Sequence, residues 1–507
     1  MLDLGRSFLA SVERNPGATA IVDGDCRLSY EQWFASIQNV AAGLAGLGLG
    51  RGDHIAVILQ NRWEMATLHW ACQFTGVIMT PLNWRVKPDE IDYCASDAGA
   101  RVLVYQDASA EAVAESSVAG KMTRIAVGID APGDVPFASL LATAAKGTLL
   151  EATAEDWSLM LYTSGTTGKP KGVPRRHRHE RHAALAHVAQ NLYRYGERTL
   201  GVMPLYHTMG VRSLLSMALI DGRFVCVPRF DPAAVLKSIP AEGITNLYLV
   251  PTLYHDVLAH PDAAAADLRS VRKLGFAGAP MNEALVHKLV DRFKPELFVN
   301  HYGSSEVYTF TIDQSAAEKP GSAGRAGINQ RIRVIKLENF DVEKRAEVGE
   351  EGQIICDMAS EESFEGYWNR PDANAKSLHQ GWYFTGDTGY VDAQGDLFVT
   401  GRVDDMMISG GENISPVEIE SMLSLHPAVD EVAVVGLPDE RWGQRVTAFI
   451  KRSAPVTGEE LNEHCVSSGL ANFKRPRGYV FVREVPRSPV GKLLRRKLLS
   501  NEYEAEN

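Results

Sequence analysis

Apolar segments of two different spacings alternate along the first part of the chain. Residues 30–48 (YEQWFASIQNVAAGLAGLG) place apolar side chains at helical spacing and end in glycine, whereas residues 54–60 (HIAVILQ) form the short apolar run of a buried strand. A second helical segment, residues 64–76, and a second strand, residues 100–106, follow them. Because strands separated by helices form βαβ units, this alternation predicts a mostly parallel sheet covered by helices.

The same alternation returns in the middle of the chain. Short apolar runs, each ending in a polar or glycine turn, are predicted as strands at residues 199–204, 224–230, 244–251, 273–278 and 297–303. In open α/β sheets, ligands bind at the carboxyl ends of the strands. Motifs that follow these runs are therefore candidates for a binding site.

The pattern changes twice in the last third of the chain. Residues 330–400 contain short β segments with turns, and the chain beyond Arg402 returns to an α+β pattern. A length of 507 residues is also too great for one ordinary core. We predict a large N-terminal α/β domain (residues 1–402) of βαβ-layered sheets plus a β-rich subdomain, and a small α+β domain (residues 403–507) behind a short hinge near residues 401–405.

Composition excludes several classes of protein. A net charge of −11 argues against a partner that is nucleic acid or an anionic membrane. Six scattered cysteines without a CxxC pair indicate reduced thiols rather than disulfides or a zinc site. The N-terminus lacks the apolar core of a signal peptide, and no run of about eighteen apolar residues predicts a membrane span. We expect a cytoplasmic protein whose acidic tail, residues 501–507, is frayed.

Residues 162–172 (YTSGTTGKPKG) combine three glycines with two lysines directly after an apolar strand. Backbone N–H groups of a glycine-rich turn form a nest for phosphate oxygens, and hydroxyls and lysines add charge-assisted donors. The stretch is not a Walker A loop, because Gly165 and Gly168 are only three apart and Pro170 follows Lys169. It predicts a phosphate-binding loop of another kind.

This loop resembles that of the adenylate-forming superfamily, which includes acyl-CoA synthetases, firefly-type luciferases and peptide-synthetase adenylation domains. Further segments resemble family motifs in the same order: residues 203–210 (MPLYHTMG), 276–281 (FAGAPM), 300–306 (NHYGSSE), 382–390 (WYFTGDTGY), 401–420 (GRVDDMMISGGENISPVEIE) and 488–498 (SPVGKLLRRKL). The likeness spans nearly the whole chain. It implies transfer of a carboxylate to the α-phosphate of ATP, with Mg2+ bound, and release of pyrophosphate.

The resemblance implies an ATP site residue by residue. It assigns the phosphates to Thr163, Ser164, Gly165, Thr166, Thr167, Gly168 and Lys171; the adenine to Gly278, Ala279, Pro280, Tyr302, Gly303, Ser304 and Ser305; the ribose to Asp387 and Arg402; and Mg2+ to Glu306 and Thr163. Ser305 stands where family members usually have threonine, so the hydroxyl is retained. Lys492, His207 and Glu306 are the implied catalytic residues.

The resemblance also implies a moving C-terminal domain that hinges at Asp404. One pose delivers Lys492 to the carboxylate and α-phosphate, and the other opens a path for a thiol. Coenzyme A is the implied acceptor, with Gly410, Gly411 and Trp442 along its pantetheine arm and Phe473, Arg475 and Arg477 at its nucleotide end.

The acid is less closely defined. Amino-acid-activating relatives usually have an aspartate near this motif that pairs with the α-amino group. Residues 203–210 and their neighbours contain none, so a simple carboxylic acid is favoured. The motifs look most like the benzoate and 4-chlorobenzoate CoA ligase branch. The implied acyl pocket consists of His207, Met209, Tyr248, His301, Gly303, Tyr308 and Thr309. Aromatic and methionine side chains suit an aromatic or alicyclic ring. His301 is polar where a chlorobenzoate pocket is apolar, which indicates a polar ring substituent or a different acid.

Two alternatives stay open: a medium-chain fatty acyl-CoA synthetase, and a stand-alone adenylation protein that loads a carrier protein. The sequence leaves the oligomeric state open as well, a homodimer included. Residues 175–182 (RRHRHERH) suggest metal binding, but a solvated helix start is the favoured interpretation of this segment.

Overall fold

The structure is a computed structural model that describes residues 2–163, 169–337, 341–409, 412–487 and 493–506. Its strands are β1 (Thr19–Asp23), β2 (Cys26–Ser29), β3 (His54–Ile58), β4 (Ile78–Pro81), β5 (Ala100–Gln106), β6 (Thr123–Val127), β7 (Val135–Pro136), β8 (Trp157–Thr163), β9 (Lys171–Arg176), β10 (Arg198–Gly201), β11 (Arg223–Cys226), β12 (Asn246–Leu249) and β13 (Lys273–Ala277). They continue as β14 (Leu297–Tyr302), β15 (Thr311–Asp313), β16 (Arg325–Ala326), β17 (Ile332–Ile335), β18 (Gly352–Asp357), β19 (Leu378–His379), β20 (Trp382–Val391), β21 (Leu397–Arg402), β22 (Met407–Ser409), β23 (Glu412–Ile414), β24 (Val429–Asp439), β25 (Gly443–Arg452) and β26 (Gly478–Phe481).

The α-helices lie between these strands. They are α1 (Leu4–Arg14), α2 (Tyr30–Gly46), α3 (Trp63–Thr75), α4 (Pro88–Ala98), α5 (Asp107–Glu115), α6 (Phe137–Leu141), α7 (His177–Gln190), α8 (Thr208–Leu219), α9 (Pro232–Glu242), α10 (Pro251–Ala259), α11 (Glu283–Phe293), α12 (Pro371–Ser377), α13 (Pro416–Ser424), α14 (Gly458–Ser467) and α15 (Arg495–Leu499). Local chemistry explains where they begin: the Ser29 hydroxyl and the Gln32 side chain form a capping box at the start of α2.

Two large sheets form the N-terminal part of the fold. One has the order β7-β6-β5-β3-β4-β8-β9, and the other has the order β16-β15-β14-β13-β12-β10-β11-β1-β2. The inner pairs of both sheets are parallel, and antiparallel pairing is confined to their edges, for example between β8 and β9. The predicted α/β class, with its mostly parallel sheets, is therefore confirmed.

Helices packed against these sheets complete the core. Phe8 of α1 lies against Trp33 of α2 and Trp70 of α3, with ring centroids 5.3 and 4.6 Å apart, respectively. These rings belong to a cluster that also contains Leu214 of α8 and Phe224 of β11, so the same core joins helices from both halves of the N-terminal region. Burial of such aromatic side chains is a main source of stability.

A five-stranded antiparallel sheet, β17-β18-β20-β19 with β21 beside β20, follows the large sheets. A further sheet, β23-β22-β25-β24 with β26 beside β25, contains only residues from Met407 onward. Its apolar faces form their own clusters, one around Ile419 and Ile450 and the other around Phe449. The predicted boundary at 402/403 and the hinge at Asp404 stay predictions.

The acidic tail is not frayed, contrary to the prediction. Tyr503 lies edge-on against Phe449 with ring centroids 5.0 Å apart, and Glu506 donates its backbone N–H to the Phe481 carbonyl at 2.9 Å. The aromatic side chain and the backbone pairing anchor the segment, whereas its acidic composition suggested solvent exposure. Among the described residues, no helix is both long and apolar enough to cross a membrane.

The histidine-rich segment, residues 175–182, is not the solvated helix start that was predicted: four of its residues are buried and the other four are partly buried. Arg175, His177 and Glu180 are fully buried, and Arg175 Nε lies 2.9 Å from Glu180 Oε1. Burial lowers the pKa of His177 to about 4 and that of His179 to about 2. Across the described ranges, no group of three or more His, Cys, Asp or Glu side chains is arranged to hold a metal ion.

Candidate active site

The glycine-rich stretch connects two antiparallel strands at the carboxyl end of β8. Thr163 is the last residue of β8 and pairs in register with Lys171, the first residue of β9. The predicted phosphate ligands Ser164, Gly165, Thr166, Thr167 and Gly168 lie outside the described residues. The two flanking strands therefore fix both ends of the stretch at the carboxyl end of β8. In open α/β sheets, ligands bind at the carboxyl ends of the strands.

Lys171 and Glu306 lie on either side of Tyr367. The Lys171 ammonium nitrogen is 4.1 Å from the centroid of the Tyr367 ring, and the Tyr367 hydroxyl donates to Glu306 Oε1 at 2.7 Å. Trp368 N–H donates to the Gly172 carbonyl at 2.9 Å, which holds this tyrosine beside β9. Burial lowers the pKa of Lys171, Glu306 raises it, and Arg402 lowers it again. A partly desolvated cation and a buried carboxylate thus share one site.

The backbone of Glu306 is held from behind by a buried arginine. Arg175 Nη1 lies 3.0 Å from the Glu306 carbonyl and 2.6 Å from the Glu362 carbonyl. Its Nε–H binds Glu180, so the guanidinium connects α7 to two distant loops. Arg175 and Tyr367 position Glu306, and neither was among the residues predicted from sequence. Arg175 did lie in the histidine-rich stretch that the sequence made conspicuous.

Asp387 accepts from two residues that come from different strands. The Tyr302 hydroxyl lies 2.5 Å from Asp387 Oδ2, and Arg402 Nη1 lies 2.8 Å from Oδ1. Asp387 and Arg402 are register partners in the β20–β21 hairpin. Gly386 has φ +76°, and a Cβ there would approach Arg402 Nη2 to 2.7 Å, so glycine suits this position. The structure brings together three residues predicted for the nucleotide.

The two segments predicted to contact adenine follow neighbouring strands. Residues 278–280 follow β13 and residues 303–305 follow β14, and these strands pair in parallel with Ala277 beside His301. The chain turns back tightly at Gly303, where a Cβ would lie 2.1 Å from the Tyr308 carbonyl oxygen. Gly278, Ala279, Pro280, Ser304 and Ser305 therefore lie at one sheet edge and are partly or fully exposed.

Most residues of the predicted acyl pocket surround the carboxyl ends of β12 to β14. His207 caps α8 by accepting from Met209 N–H at 3.3 Å, and Met209 packs with Tyr248 in one apolar cluster. His301 lies 5.0 Å from Tyr248, measured between ring centroids. The Tyr308 hydroxyl instead binds buried Glu180 at 3.0 Å. The membership of these residues in an acyl pocket stays a prediction.

Sequence reasoning missed three polar residues of this region. Arg212 of α8 donates to Thr309 Oγ1 at 2.7 Å and to the Tyr248 hydroxyl. His187 lies 4.9 Å from Tyr248 and 5.1 Å from His301, measured between ring centroids, and Asn191 binds both histidines. His187 lies ten residues beyond His177 on α7, so the histidine-rich stretch was the one available signal.

The residues predicted for coenzyme A lie in the C-terminal region. Trp442 is 38% exposed and has the Arg441 guanidinium 4.9 Å, and that of Arg477 6.0 Å, from its ring centroid. Phe473 is 44% exposed, and Arg475 Nε donates to the Leu470 carbonyl at 2.8 Å. Gly410 and Gly411 lie outside the described residues, as does Lys492. Exposed aromatic and basic groups suit the nucleotide and the pantetheine arm of coenzyme A, and the assignment of these residues to coenzyme A stays a prediction.

The predicted hinge residue lies in a short turn after β21. Asp404 is exposed within the 3-10 turn Val403–Asp405. Next to it, Asp405 accepts from Arg495 at 3.2 Å, and the same guanidinium binds partly buried Glu420 at 2.7 Å. These contacts connect the turn to the helix that follows the Lys492 segment.

Comparison with known proteins identifies the family to which this architecture belongs. The model of the AMP-binding enzyme family matches residues 8–368, and that of the AMP-binding enzyme C-terminal domain matches residues 418–492. A 4-chlorobenzoate–CoA ligase from Arthrobacter sp is 34% identical, over 96% of this chain and 93% of the relative. A feruloyl-CoA synthase from Amycolatopsis sp is 33% identical over 97% of each chain. A long-chain-fatty-acid–CoA ligase from Mycobacterium tuberculosis is 32% identical, over 95% and 94%.

Solved structures agree with these relatives. An anthranilate CoA ligase in complex with anthranoyl-AMP superposes with a TM-score of 0.91 at 27% identity, covering 99% of this chain and 97% of the other. The o-succinylbenzoate CoA synthetase from Bacillus subtilis, in complex with ATP and magnesium ion, gives a TM-score of 0.83 at 28% identity and covers 97% and 98%. The chain therefore belongs to the AMP-binding enzyme family, as its motifs predicted.

Proposed function

We propose that the chain is an ATP-dependent carboxylate–CoA ligase that makes an acyl-CoA thioester through an acyl-adenylate, with an aromatic or alicyclic carboxylic acid as its substrate. The observation that carries the proposal is the grouping of Lys171, Glu306 and the Asp387–Arg402 pair. Aromatic rings connect the two ends of this group: Phe310 lies 5.0 Å from Tyr302 and 6.2 Å from Tyr383, measured between ring centroids, and the Tyr383 hydroxyl oxygen lies 3.4 Å from that of Tyr367. Tyr302 binds Asp387 and Tyr367 binds Glu306, so the charged groups lie in one region. The three relatives described above are named as CoA ligases or synthases, which supports the same reaction.

The chemistry has two steps. A carboxylate oxygen attacks the α-phosphorus of ATP, the bond from that phosphorus to the bridging oxygen breaks, and pyrophosphate leaves with the electron pair. The sulfur of coenzyme A then attacks the acyl carbonyl, AMP leaves with the electrons of the acyl–oxygen bond, and the thiol proton is released. In the first step an anion approaches a polyanion, so the site must supply cations and oriented dipoles.

Four charged residues have a part in the first step. Lys171, partly desolvated beside Tyr367, supplies positive charge next to the phosphate-binding stretch. Asp387 accepts from the ribose hydroxyls, and Arg402 holds its carboxylate in place. Lys492 bridges the carboxylate and the α-phosphate during this step, as the family resemblance implies.

The donor set at the end of β8 fits a magnesium ion. Glu306 presents a carboxylate that is 7% exposed, and Thr163 ends β8 with a hydroxyl. Mg2+ prefers oxygen ligands and usually binds through one or two carboxylates together with substrate phosphates. When bound, the ion neutralises the phosphate charge that develops as pyrophosphate leaves. Tyr367 and Arg175 hold Glu306 where it can serve as that ligand.

The apolar and aromatic side chains near His207 favour a ring-shaped acid. Met209 and Tyr248 belong to one buried cluster, and aromatic and methionine surfaces suit a flat or alicyclic group. Relatives named for 4-chlorobenzoate and ferulate support this choice. The relative named for long-chain fatty acids keeps a fatty acid as the second candidate.

The test is AMP release from ATP and Mg2+ across a panel of acids, with and without coenzyme A. The panel contains benzoate, its 4-substituted forms, cyclohexanecarboxylate and fatty acids of several lengths. CoA-dependent AMP release with a ring acid is the expected result. A preference for fatty acids would reject the ring assignment but not the ligase, and CoA-independent release that needs a carrier protein would favour the third alternative.

The proposal extends to partners and assembly. A net charge of −11 supports an enzyme whose partners are small molecules rather than nucleic acid. Six scattered cysteines without a CxxC pair support a cytoplasmic location, and we expect a homodimer or a monomer. Light scattering after size-exclusion chromatography distinguishes the two assemblies.

A further inference from the structure

Three buried rings meet beside the predicted acyl pocket. His187, Tyr248 and His301 lie within 5.1 Å of one another, measured between ring centroids, and each is at most 2% exposed. Tyr248 lies on β12 and His301 on β14, the strands on either side of β13, whose carboxyl end carries Gly278. The rings therefore lie at the sheet edge that the proposed function assigns to the acyl group, and the inference below rests on that function.

Asn191 sets the tautomers of the two histidines. Its Nδ2 donates to the His187 carbonyl at 2.8 Å, which fixes the orientation of the amide. The same Nδ2 lies 3.0 Å from His187 Nδ1, so this ring nitrogen accepts and the proton resides on Nε2. Asn191 Oδ1 lies 3.1 Å from His301 Nε2, so that nitrogen donates and Nδ1 of His301 keeps its lone pair.

Both histidines are neutral in this environment. Burial lowers the pKa of His187 well below its ordinary value, and the Arg212 charge and His301 lower it further. Burial followed by the Arg212 charge does the same to the pKa of His301. Each neutral ring therefore has one donor and one acceptor nitrogen, as the contacts to Asn191 require.

The second nitrogen of each ring has no protein partner within the described ranges. His187 Nε2, a donor, and His301 Nδ1, an acceptor, are buried without a hydrogen bond, and the same is true of Arg212 Nε. More than nine-tenths of buried polar groups in proteins are paired, because an unpaired one loses its hydrogen bond to water without replacing it. The donor and the acceptor left unpaired on these two rings are complementary to a group that can both accept and donate a hydrogen bond.

We propose that the acyl site selects a carboxylic acid that carries a neutral hydroxyl group, which accepts from His187 Nε2–H and donates to His301 Nδ1. A hydroxyl has one proton to give and two lone pairs, so the same group can accept from a donor nitrogen and donate to an acceptor nitrogen. A second carboxylate has no proton for His301 Nδ1 and would face its lone pair. An unsubstituted ring would leave both nitrogens unpaired, which is the condition under which enzymes reject an analogue strongly.

The first experiment compares matched acids on the wild-type enzyme. CoA-dependent AMP release is measured for benzoate and cyclohexanecarboxylate, for each hydroxylated isomer, and for the corresponding methyl ethers. We expect at least one hydroxylated isomer to exceed its unsubstituted parent by about tenfold or more in kcat/KM. Its methyl ether should lose that advantage, because the ether oxygen cannot donate to His301. Hydroxylated acids that are all no better than their parents would overturn the inference.

The second experiment removes both ring nitrogens of His301. His301→Phe keeps an aromatic ring but has no acceptor, so we expect kcat/KM for the preferred hydroxylated acid to fall about tenfold further than kcat/KM for its parent. His287→Phe makes the same change at a histidine on α11 whose side chain is 60% exposed, and the hydroxyl preference should remain. An equal loss for both acids in His301→Phe would contradict the assignment of His301.

The outcomes separate this inference from the proposed function. CoA-dependent AMP release with several acids but without a hydroxyl preference would reject the inference alone. No CoA-dependent release with any acid would reject the proposed function. If His301→Phe does not fold, the wild-type series of parent, alcohol and ether still decides the question.

Discussion

The Tyr367 hydroxyl donates to Glu306 at 2.7 Å, and the face of the same ring lies 4.1 Å from the Lys171 ammonium nitrogen. One side chain therefore contacts both the proposed magnesium ligand and the proposed phosphate cation. A tyrosine suits this position because its hydroxyl binds a carboxylate while its π-face attracts a cation.

Tyr367→Phe should keep the ring beneath Lys171 but release Glu306. A hydrogen bond to a charged group contributes about 1.5 kcal/mol or more, so we expect kcat/KM for ATP to fall about tenfold and the Mg2+ requirement to rise. AMP release at varied Mg2+ measures both. Tyr105→Phe is the matched control, because Tyr105 makes a similar bond to Asp134 at 2.5 Å on a distant strand. Equal effects of the two changes would remove the role of Tyr367.

Asp387→Asn should weaken ATP binding through loss of the charge that Arg402 and the ribose hydroxyls meet. We expect KM for ATP to rise about tenfold, the loss of one charged hydrogen bond. Asp392→Asn, on the same hairpin but bound to Lys319, should leave this constant unchanged. Initial rates of AMP release at varied ATP measure the difference. If Asp387→Asn had a normal KM for ATP, the ribose assignment would be wrong.

Deprotonation of Lys171 should lower kcat/KM for ATP at alkaline pH. Burial lowers its pKa below the ordinary value of 10.5, and a lysine is cationic only below its pKa, so the charge is lost at a lower pH than usual. The pH profile of kcat/KM for ATP reports the free enzyme and should fall on the alkaline side. Lys171→Arg keeps its charge at every accessible pH, so this fall should move upward. An unchanged alkaline limb in Lys171→Arg would assign it to another group.

Glu180→Gln should destabilise the fold through Arg175. Both side chains of this ion pair are fully buried, and removal of one partner from a buried pair costs about 3 kcal/mol or more. We expect a fall in melting temperature of roughly 5 °C. Glu283→Gln makes the same change at a side chain that is 54% exposed and should leave the melting temperature unchanged. Similar melting temperatures for the two variants would show that the pair contributes little.

Lys492→Ala should separate the two half-reactions. The lysine acts only while the adenylate forms, so we expect acyl-adenylate formation to be abolished and thioester formation from supplied acyl-AMP to remain largely intact. Rapid-quench measurements of each half-reaction check this. Equal losses in both would count against two poses of the C-terminal domain about Asp404.

Much of the fold follows from local patterns in the sequence. Residues 100–106 are a strand with the predicted bounds, since their apolar run ends at a polar turn. The Ser29 and Gln32 caps likewise mark the start of α2. These features depend on residues within a few positions of one another, so a single sequence contains them.

Burial of charged residues could not be predicted in the same way. The dense charges of residues 175–182 predicted solvent exposure. Arg175 is instead buried, because it pairs with Glu180 and donates to backbone carbonyls more than a hundred residues away. Arg212 likewise donates to the carbonyl of Tyr308, 96 residues away, and His187 contacts His301 on a distant strand. The tail also read as frayed, and its anchor is Phe449, far away along the chain. Long-range pairing decides each case.

Acid-dependent exchange of labelled pyrophosphate into ATP tests the central claim most directly. An acyl-adenylate that forms reversibly predicts exchange when ATP, Mg2+ and a ring acid are present, even without coenzyme A, and no exchange when the acid is omitted. Addition of coenzyme A should then convert the acid to its thioester with one AMP for each product. Exchange that ignores the acid, or release of ADP in place of AMP, would contradict the account.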